Sequence, residues 1–244
     1  MKIQDSKALV TGANRGIGRE IVLGLLDRGV GTVYCGARKP ESLAELVEEY
    51  GERVVPLQLD ITDEGQVREA AQSVPELDLL INNAGVLHWG SFAEGDLEDI
   101  RQDMETNYFG TLRMVRAFLP QLEKSGDAVI VNLHSVVSFG NMAFIGGYSA
   151  SKAAEHSLTQ ALRSELGPKG IQVLGVYPGP VDTDMAKELE MDKTPPAQVA
   201  QAILDGVEAG KAYTFPDPMA EQVGATWKEN PLAVETLFAE MAEM

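Results

Sequence analysis

Tyr148 and Lys152 stand four residues apart in the run GGYSASKAAEHSL, a spacing that stacks a phenol and an ammonium on one face of a helix. A free tyrosine releases its proton only near pH ~10, and a cation a few ångströms away favours the phenolate. Together the two side chains could pass a proton to or from a carbonyl or alcohol oxygen nearer to neutral pH. The spacing also arises on ordinary helix surfaces, so the rest of the chain must supply the context.

Six short apolar runs rich in β-formers provide a scaffold: KALVTG, GTVYCGA, RVVPLQLD, LDLLINNAG, DAVIVNLHS and IQVLGVYPG. They read as continuous Val, Leu and Ile rather than as alternating residues, which is what a parallel sheet covered on both faces requires. Helical apolar spacing fills 19–27, 41–50, 97–124 and 149–166, and Gly29, Gly51 and Gly126 follow three of these stretches as stops. The expected fold is α/β: a doubly wound, mainly parallel seven-stranded sheet forming one domain over residues 1–244. In such sheets ligands bind beyond the carboxyl ends of the strands. A glycine-rich turn, Asp60, Asn83, Ser135 and Pro178 all fall at that edge.

Composition narrows the partners. With 37 acidic against 20 basic residues the net charge is −17, which repels nucleic-acid backbones and anionic bilayers, so neither partner is expected. The single cysteine, Cys35, excludes an internal disulfide and reads as a small core residue, while three scattered histidines give no metal-ligand spacing. The N-terminus enters a strand pattern at once and no apolar stretch is long enough to span a bilayer, so a cytoplasmic location is expected.

The strand KALV runs into Thr11, Gly12, Ala13, Asn14, Arg15, Gly16, Ile17 and Gly18, and then into a helix. Glycines let backbone amides approach a pyrophosphate at the positive end of the helix dipole, so this unit reads as a dinucleotide cradle. The spacing T-G-x-x-x-G-x-G also resembles that of the short-chain dehydrogenase/reductase family, in its compact single-domain branch. Matching pieces run from Thr11 to about Met185: the glycine turn, Asp60, N-N-A-G at Asn82 to Gly85, Asn107, Ser135, the Tyr148/Lys152 pair and P-G-P-V-D-T at Pro178 to Thr183.

The resemblance implies roles. Gly12, Asn14, Arg15, Gly16, Ile17 and Gly18 would cradle the cofactor, Asp60 and Ile61 would hold its adenine, and Asn83, Ala84 and Gly85 would line the path to the nicotinamide. Pro178, Gly179, Val181 and Thr183 would border the nicotinamide itself. Tyr148 would give the proton, Ser135 would hold the carbonyl oxygen, and Lys152 would bind the ribose while lowering the tyrosine pKa. Asn107 would hold a water linking Lys152 to solvent. Between the two nicotinamide cofactors the second strand decides: it ends at Ala37 and Arg38 rather than in an acidic residue. Arg38 and Arg15 could grip a 2′-phosphate with no competing carboxylate, which points to NADP(H).

Relatives often have a second serine where His134 stands. Neighbours on a strand face opposite ways, so His134 reads as a packed residue and not as a base for Ser135. His88 is a candidate at the substrate mouth, and His156 reads as helix surface. An apolar pocket is expected from Val86, Leu87, Trp89, Val136, Val137, Phe139, Met142, Phe144 and Met185, suited to a small apolar ketone, aldehyde or secondary alcohol. Residues 184–194 would form a mobile lid. Beyond Pro196 the chain departs from many relatives: a helix over 197–208, a strand over 211–215, and a divergent extension over 216–244 whose helical tail carries Leu232, Leu237, Phe238 and Met241. That tail could cover the substrate mouth, meet a partner subunit or pack on its own domain; a homodimer is expected, with a homotetramer open. The leading expectation is an NADP(H)-dependent carbonyl reductase or alcohol dehydrogenase. The alternatives are a 3-oxoacyl-thioester reductase and a catalytically silent NADP(H)-sensing scaffold.

Overall fold

Seven parallel strands form one sheet: β1 (Lys7–Thr11), β2 (Thr32–Ala37), β3 (Val54–Gln58), β4 (Leu79–Asn82), β5 (Val129–Leu133), β6 (Gln172–Val176) and β7 (Tyr213–Thr214). They lie in the order β3-β2-β1-β4-β5-β6-β7 in a computed structural model that describes residues 1–242. Parallel pairing throughout puts every carboxyl end on one edge, and the order reverses between β1 and β4, where a crevice must open.

Strand residues serve two cores by simple alternation. Ala8 and Val10 of β1, Ile81 of β4 and Val131 of β5 face one cluster, while Leu9, Leu80 and Ile130 face the other. This is why the runs are apolar without a break: both sheet faces are covered. Each such Leu or Ile, fully buried, contributes about 1.5–3 kcal/mol.

The helices are α1 (Gly16–Asp27), α2 (Ala44–Tyr50), α3 (Glu64–Ser73), α4 (Leu97–Asp103), α5 (Thr111–Ser125), α6 (Gly146–Leu166), α7 (Pro196–Glu208), α8 (Pro218–Glu229) and α9 (Pro231–Ala242). Gly29, Gly51 and Gly126 take left-handed φ values of 76°, 59° and 78° at the ends the sequence assigned to them. Several boundaries differ from expectation. α1 and α6 each start three residues earlier, because glycines at 16 and 146–147 interrupt the apolar pattern without interrupting the helix. The predicted 41–50 helix is a 3₁₀ turn, Pro40–Leu43, followed by α2. α3, absent from the periodicity reading, is capped by Asp63, which accepts from the amides of Gly65 and Gln66. The last strand shrinks to two residues, since Lys211 and Ala212 belong to the turn after Gly210 and Pro216 has no N–H to offer.

The expected 97–124 helix is one rod in which a π-helical stretch, Met104–Gly110, separates α4 from α5. Such stretches are rare and gather at functional sites; this one carries Asn107. At the other end, α8 and α9 fold back over the 3₁₀ turn Val136–Ser138, where Val234 and Phe238 are fully buried with Val136, Val137, Ile145 and Tyr148. The tail packs on its own domain, and Met241 reaches the wall of the cleft. No helix among the described residues is long and apolar enough to cross a membrane.

Candidate active site

At the mouth between β1 and β4, α1 begins with no side-chain cap and no acidic residue in its first turn, so its leading amides are free to meet an anion. Gly12 and Gly16 hold left-handed φ values of 66° and 53°. Gly18 is tighter still: a Cβ there would sit 2.1 Å from the Gly12 carbonyl oxygen. Asn83 ties the turn down, its side-chain amide donating to the carbonyls of Thr11 (2.8 Å) and Gly12 (3.2 Å), while the Thr11 hydroxyl accepts from the amides of Asn83 and Ala84. These features fit a dinucleotide pyrophosphate. All the cofactor candidates, from Gly12 through Arg38, Asp60 and Asn83 to Thr183, border one cleft of about 1920 Å³ that also reaches Ser135, Tyr148 and Lys152.

Two details depart from expectation at the adenosine end. Arg38 is exposed and pairs with no carboxylate among the described residues, as anticipated. Arg15, however, bonds Asp184 at 2.5 Å, so the idea that no carboxylate competes for the two arginines is corrected: the loop beyond β6 supplies one. Both partners are largely exposed, which makes the pair weak and readily exchanged for a phosphate. Asp60 spends one carboxylate oxygen on the amide and hydroxyl of Thr62.

At the other end, Tyr148 and Lys152 rise from the first turns of α6 and both are buried. Ser135 leaves the end of β5 with its hydroxyl only loosely engaged, 3.5 Å from the Pro178 carbonyl and 3.4 Å from the Val137 amide, free to turn to a ligand. Asn107 does not border the cleft. It is fully buried behind it, accepting from the Val86 amide and donating to the Val86 carbonyl and the Ser151 hydroxyl at 2.8–2.9 Å. Its carboxamide locks the loop after β4 onto α6.

The sequence reading had Lys152 bringing the tyrosine pKa down. Lys152 does act that way, 5.9 Å from the ring centre, and so does Ser135. Burial of the phenol is the larger effect, and with Glu155 also opposing Lys152 the Tyr148 pKa lies above the ordinary tyrosine value. Glu155 escaped the sequence reading, although it follows Lys152 by one helical turn. Its carboxylate accepts from Lys152 at 2.7 Å and from the Thr111 hydroxyl at 3.1 Å, and it lies 3.4 Å from His134 Nδ1.

The histidines sort themselves by partner. His134 is packed in the core, as expected, with burial holding its pKa down. His156 is not helix surface, as supposed, but buried, its Nδ1 2.7 Å from the Tyr177 hydroxyl; burial lowers its pKa to about 4. Its position on α6 turns it toward the aromatic group of Phe139, Tyr177, Tyr213 and Trp227. His88 does reach the substrate end of the cleft and is bound through Nδ1 to buried Asp103 at 2.9 Å. Of the expected apolar lining, Phe139 packs into that aromatic group instead, and Trp89 stacks on Phe144 outside the cleft wall. Met191, Met219 and Met241 join Met142 and Met185 in their stead. Cys35 is buried in β2 with its thiol pushed up to about 12 by burial, which leaves it inert.

Residues 6–194 match the family model described as short chain dehydrogenase, and the chain belongs to the short-chain dehydrogenase/reductase family of oxidoreductases. An uncharacterized oxidoreductase of Staphylococcus saprophyticus is 34% identical over 215 residues, covering 84% of this chain and 92% of that one. The crystal structure of a Burkholderia cenocepacia short chain dehydrogenase in complex with NADP is similar with a TM-score of 0.92 at 37% identity, over 98% of this chain and 99% of the other. An NADPH-bound carbonyl reductase from chicken fatty liver aligns with a TM-score of 0.78 at 29% identity, over 84% and 91% of the two chains.

Proposed function

We propose that the protein reduces a small, uncharged, apolar ketone or aldehyde to the alcohol with NADPH, reversibly. The observation that carries this is a single cleft running from unpaired Arg38, past the glycine turn, to Ser135 and Tyr148 and on to a methionine-rich end. NADP and NADPH in the two similar structures support the cofactor assignment.

In this reading, Arg38 and Arg15 would hold the 2′-phosphate, the α1 amides the pyrophosphate, and Thr183 and Val181 would border the nicotinamide. When bound, the reduced cofactor supplies a hydride to the carbonyl carbon. Ser135 donates a hydrogen bond to the carbonyl oxygen, and Tyr148 gives its proton as negative charge develops there. Lys152 supports the phenolate that results, and Asn107 keeps the loop and α6 in register behind it. Methionine side chains adapt their shape without demanding polar partners, which favours apolar substrates of varied outline. Leu97 and Phe109, exposed on the α4–α5 rod, support a homodimer as the assembly.

A panel of aromatic and aliphatic ketones and aldehydes, followed by NADPH oxidation at 340 nm, should show turnover with NADPH well above that with NADH. Absence of carbonyl reduction across such a panel would refute the reading. Arg38→Asp replaces a charge-assisted hydrogen bond to phosphate with repulsion, so NADPH affinity should fall about 10- to 100-fold while NADH is spared. Retention of the NADPH preference in this variant would refute the role of Arg38.

A further inference from the structure

The proton-donating pair has a third, unassigned partner. Glu155 is a carboxylate 1% exposed at the heart of the protein, and its surroundings keep it ionised. Thr159 accepts a hydrogen bond from the Asn132 amide, and its hydroxyl lies 2.9 Å from His134 Nε2. Two donors meet Glu155, the Lys152 ammonium and the Thr111 hydroxyl, and His134 Nδ1 stands 3.4 Å away. Two of the three Lys152 protons are committed inward, to Glu155 and to the Leu133 carbonyl at 2.6 Å. One is left for the cleft.

Taking Tyr148 as the proton donor, we infer that Glu155 is a positioning residue for the proton transfer, neutralising Lys152 so that Tyr148 stays protonated and ready to donate at neutral and mildly alkaline pH. Among the described residues, the charged groups that act on Tyr148 most are Lys152 and Glu155 on α6 and Asp103 on α4, which is bound to His88; His134, just beyond β5, faces Glu155. Arg163, a further part of α6, faces His134 and Tyr177. Within this cluster Lys152 and Glu155 cancel, so Tyr148 sees an ion pair where a bare ammonium would otherwise stand. The Glu155 branch ends in the core, at Thr111, His134 and Thr159, so its role is electrostatic and it offers no route for the proton.

Glu155→Gln keeps the shape and removes the charge. Without the carboxylate, less opposes loss of a proton from the Tyr148–Lys152 pair, whichever of the two gives it up. The protonated pair works in reduction, so the alkaline fall in kcat/KM for a carbonyl should move to lower pH. The deprotonated pair works in oxidation, so the acid-side rise should move the same way. A shift of about one pH unit or more is expected for a partly screened charge at this range. Thr111→Val, which takes one hydrogen bond from Glu155 but no charge, should leave both limbs in place. An unmoved profile in Glu155→Gln, or an equal shift in Thr111→Val, would overturn the inference.

A second measurement needs neither turnover nor a change at Glu155. In the wild-type apoprotein, the tyrosinate absorbance that Tyr148→Phe lacks should appear only above the pH ~10 of a free tyrosine; a step nearer neutrality would overturn the inference even if no carbonyl substrate is found. Conversely, a high step with no carbonyl reduction leaves the charge arrangement standing and removes the proposed activity.

Discussion

Tyr148→Phe should bind NADPH within about twofold of wild type and reduce carbonyls about a thousandfold more slowly, the middle of the range for one positioned general acid. Among the described residues the phenol is the proton donor of suitable strength at this point of the cleft: Ser135 is a far weaker acid, and Lys152 commits two of its three protons inward, to Glu155 and the Leu133 carbonyl. The ring itself is packed with Val136, Val137, Ile145 and Phe238, and phenylalanine keeps every one of those contacts. Loss of a buried hydroxyl therefore removes chemistry without opening a cavity, and thermal stability should hold. The check is the split: kcat falls, KM for NADPH and the melting temperature stay. A variant that turns over within tenfold of wild type would show that another group delivers the proton. A variant that loses turnover together with cofactor binding would show Tyr148 acting through the cradle.

The chain announced much of this arrangement in advance, and the reason lies in how local its signals are. The glycine turn, the unbroken apolar strands and the Tyr148/Lys152 spacing are each set within a dozen residues, so the parallel sheet and the cleft edge followed from them. Contacts between distant segments were not legible in the same way. Arg15 and Asp184 are 169 residues apart, and nothing near either one names the other. His156 was read as helix surface, and Glu155 passed over, because polar residues on helices usually meet water; α6 instead packs on α4, the π-helical stretch, the 3₁₀ turn Val136–Ser138 and β6, which bury the face carrying Glu155 and His156 and leave Ala153, Ser157, Gln160 and Glu165 to solvent. The direction of the Tyr148 pKa shift was misread for the same reason, since burial, the largest influence on it, is a property of the assembled fold and not of the spacing to Lys152. The π-helical turn holding Asn107 leaves no mark in hydrophobic periodicity, because one extra residue per turn is absorbed within a single stretch of seven.

Gly18→Ala should weaken NADPH binding about a hundredfold and cost about 1–3 kcal/mol of stability, although alanine is the better helix former by nearly 1 kcal/mol. Steric contact decides against propensity. The new methyl would lie 2.1 Å from the Gly12 carbonyl oxygen and 2.5 Å from the Asn83 side-chain nitrogen. The first obstacle is backbone, so relief requires shifting either the first turn of α1 or the Gly12 turn by about 1 Å. Displacement on that scale is enough to cost about two orders of magnitude where geometry matters. The Asn83 bonds to the Thr11 and Gly12 carbonyls, which hold the turn against β4, would stretch with it. Gly51→Ala is the matched comparison: it strains a left-handed residue, φ 59°, with nothing within 4 Å of the new methyl and no part in the cleft. It should lower the melting temperature slightly and leave NADPH binding untouched. Titration of each variant by NADPH fluorescence beside a thermal melt separates the two effects, and a Gly18→Ala protein that binds NADPH like wild type would show that the cofactor does not lie on this turn.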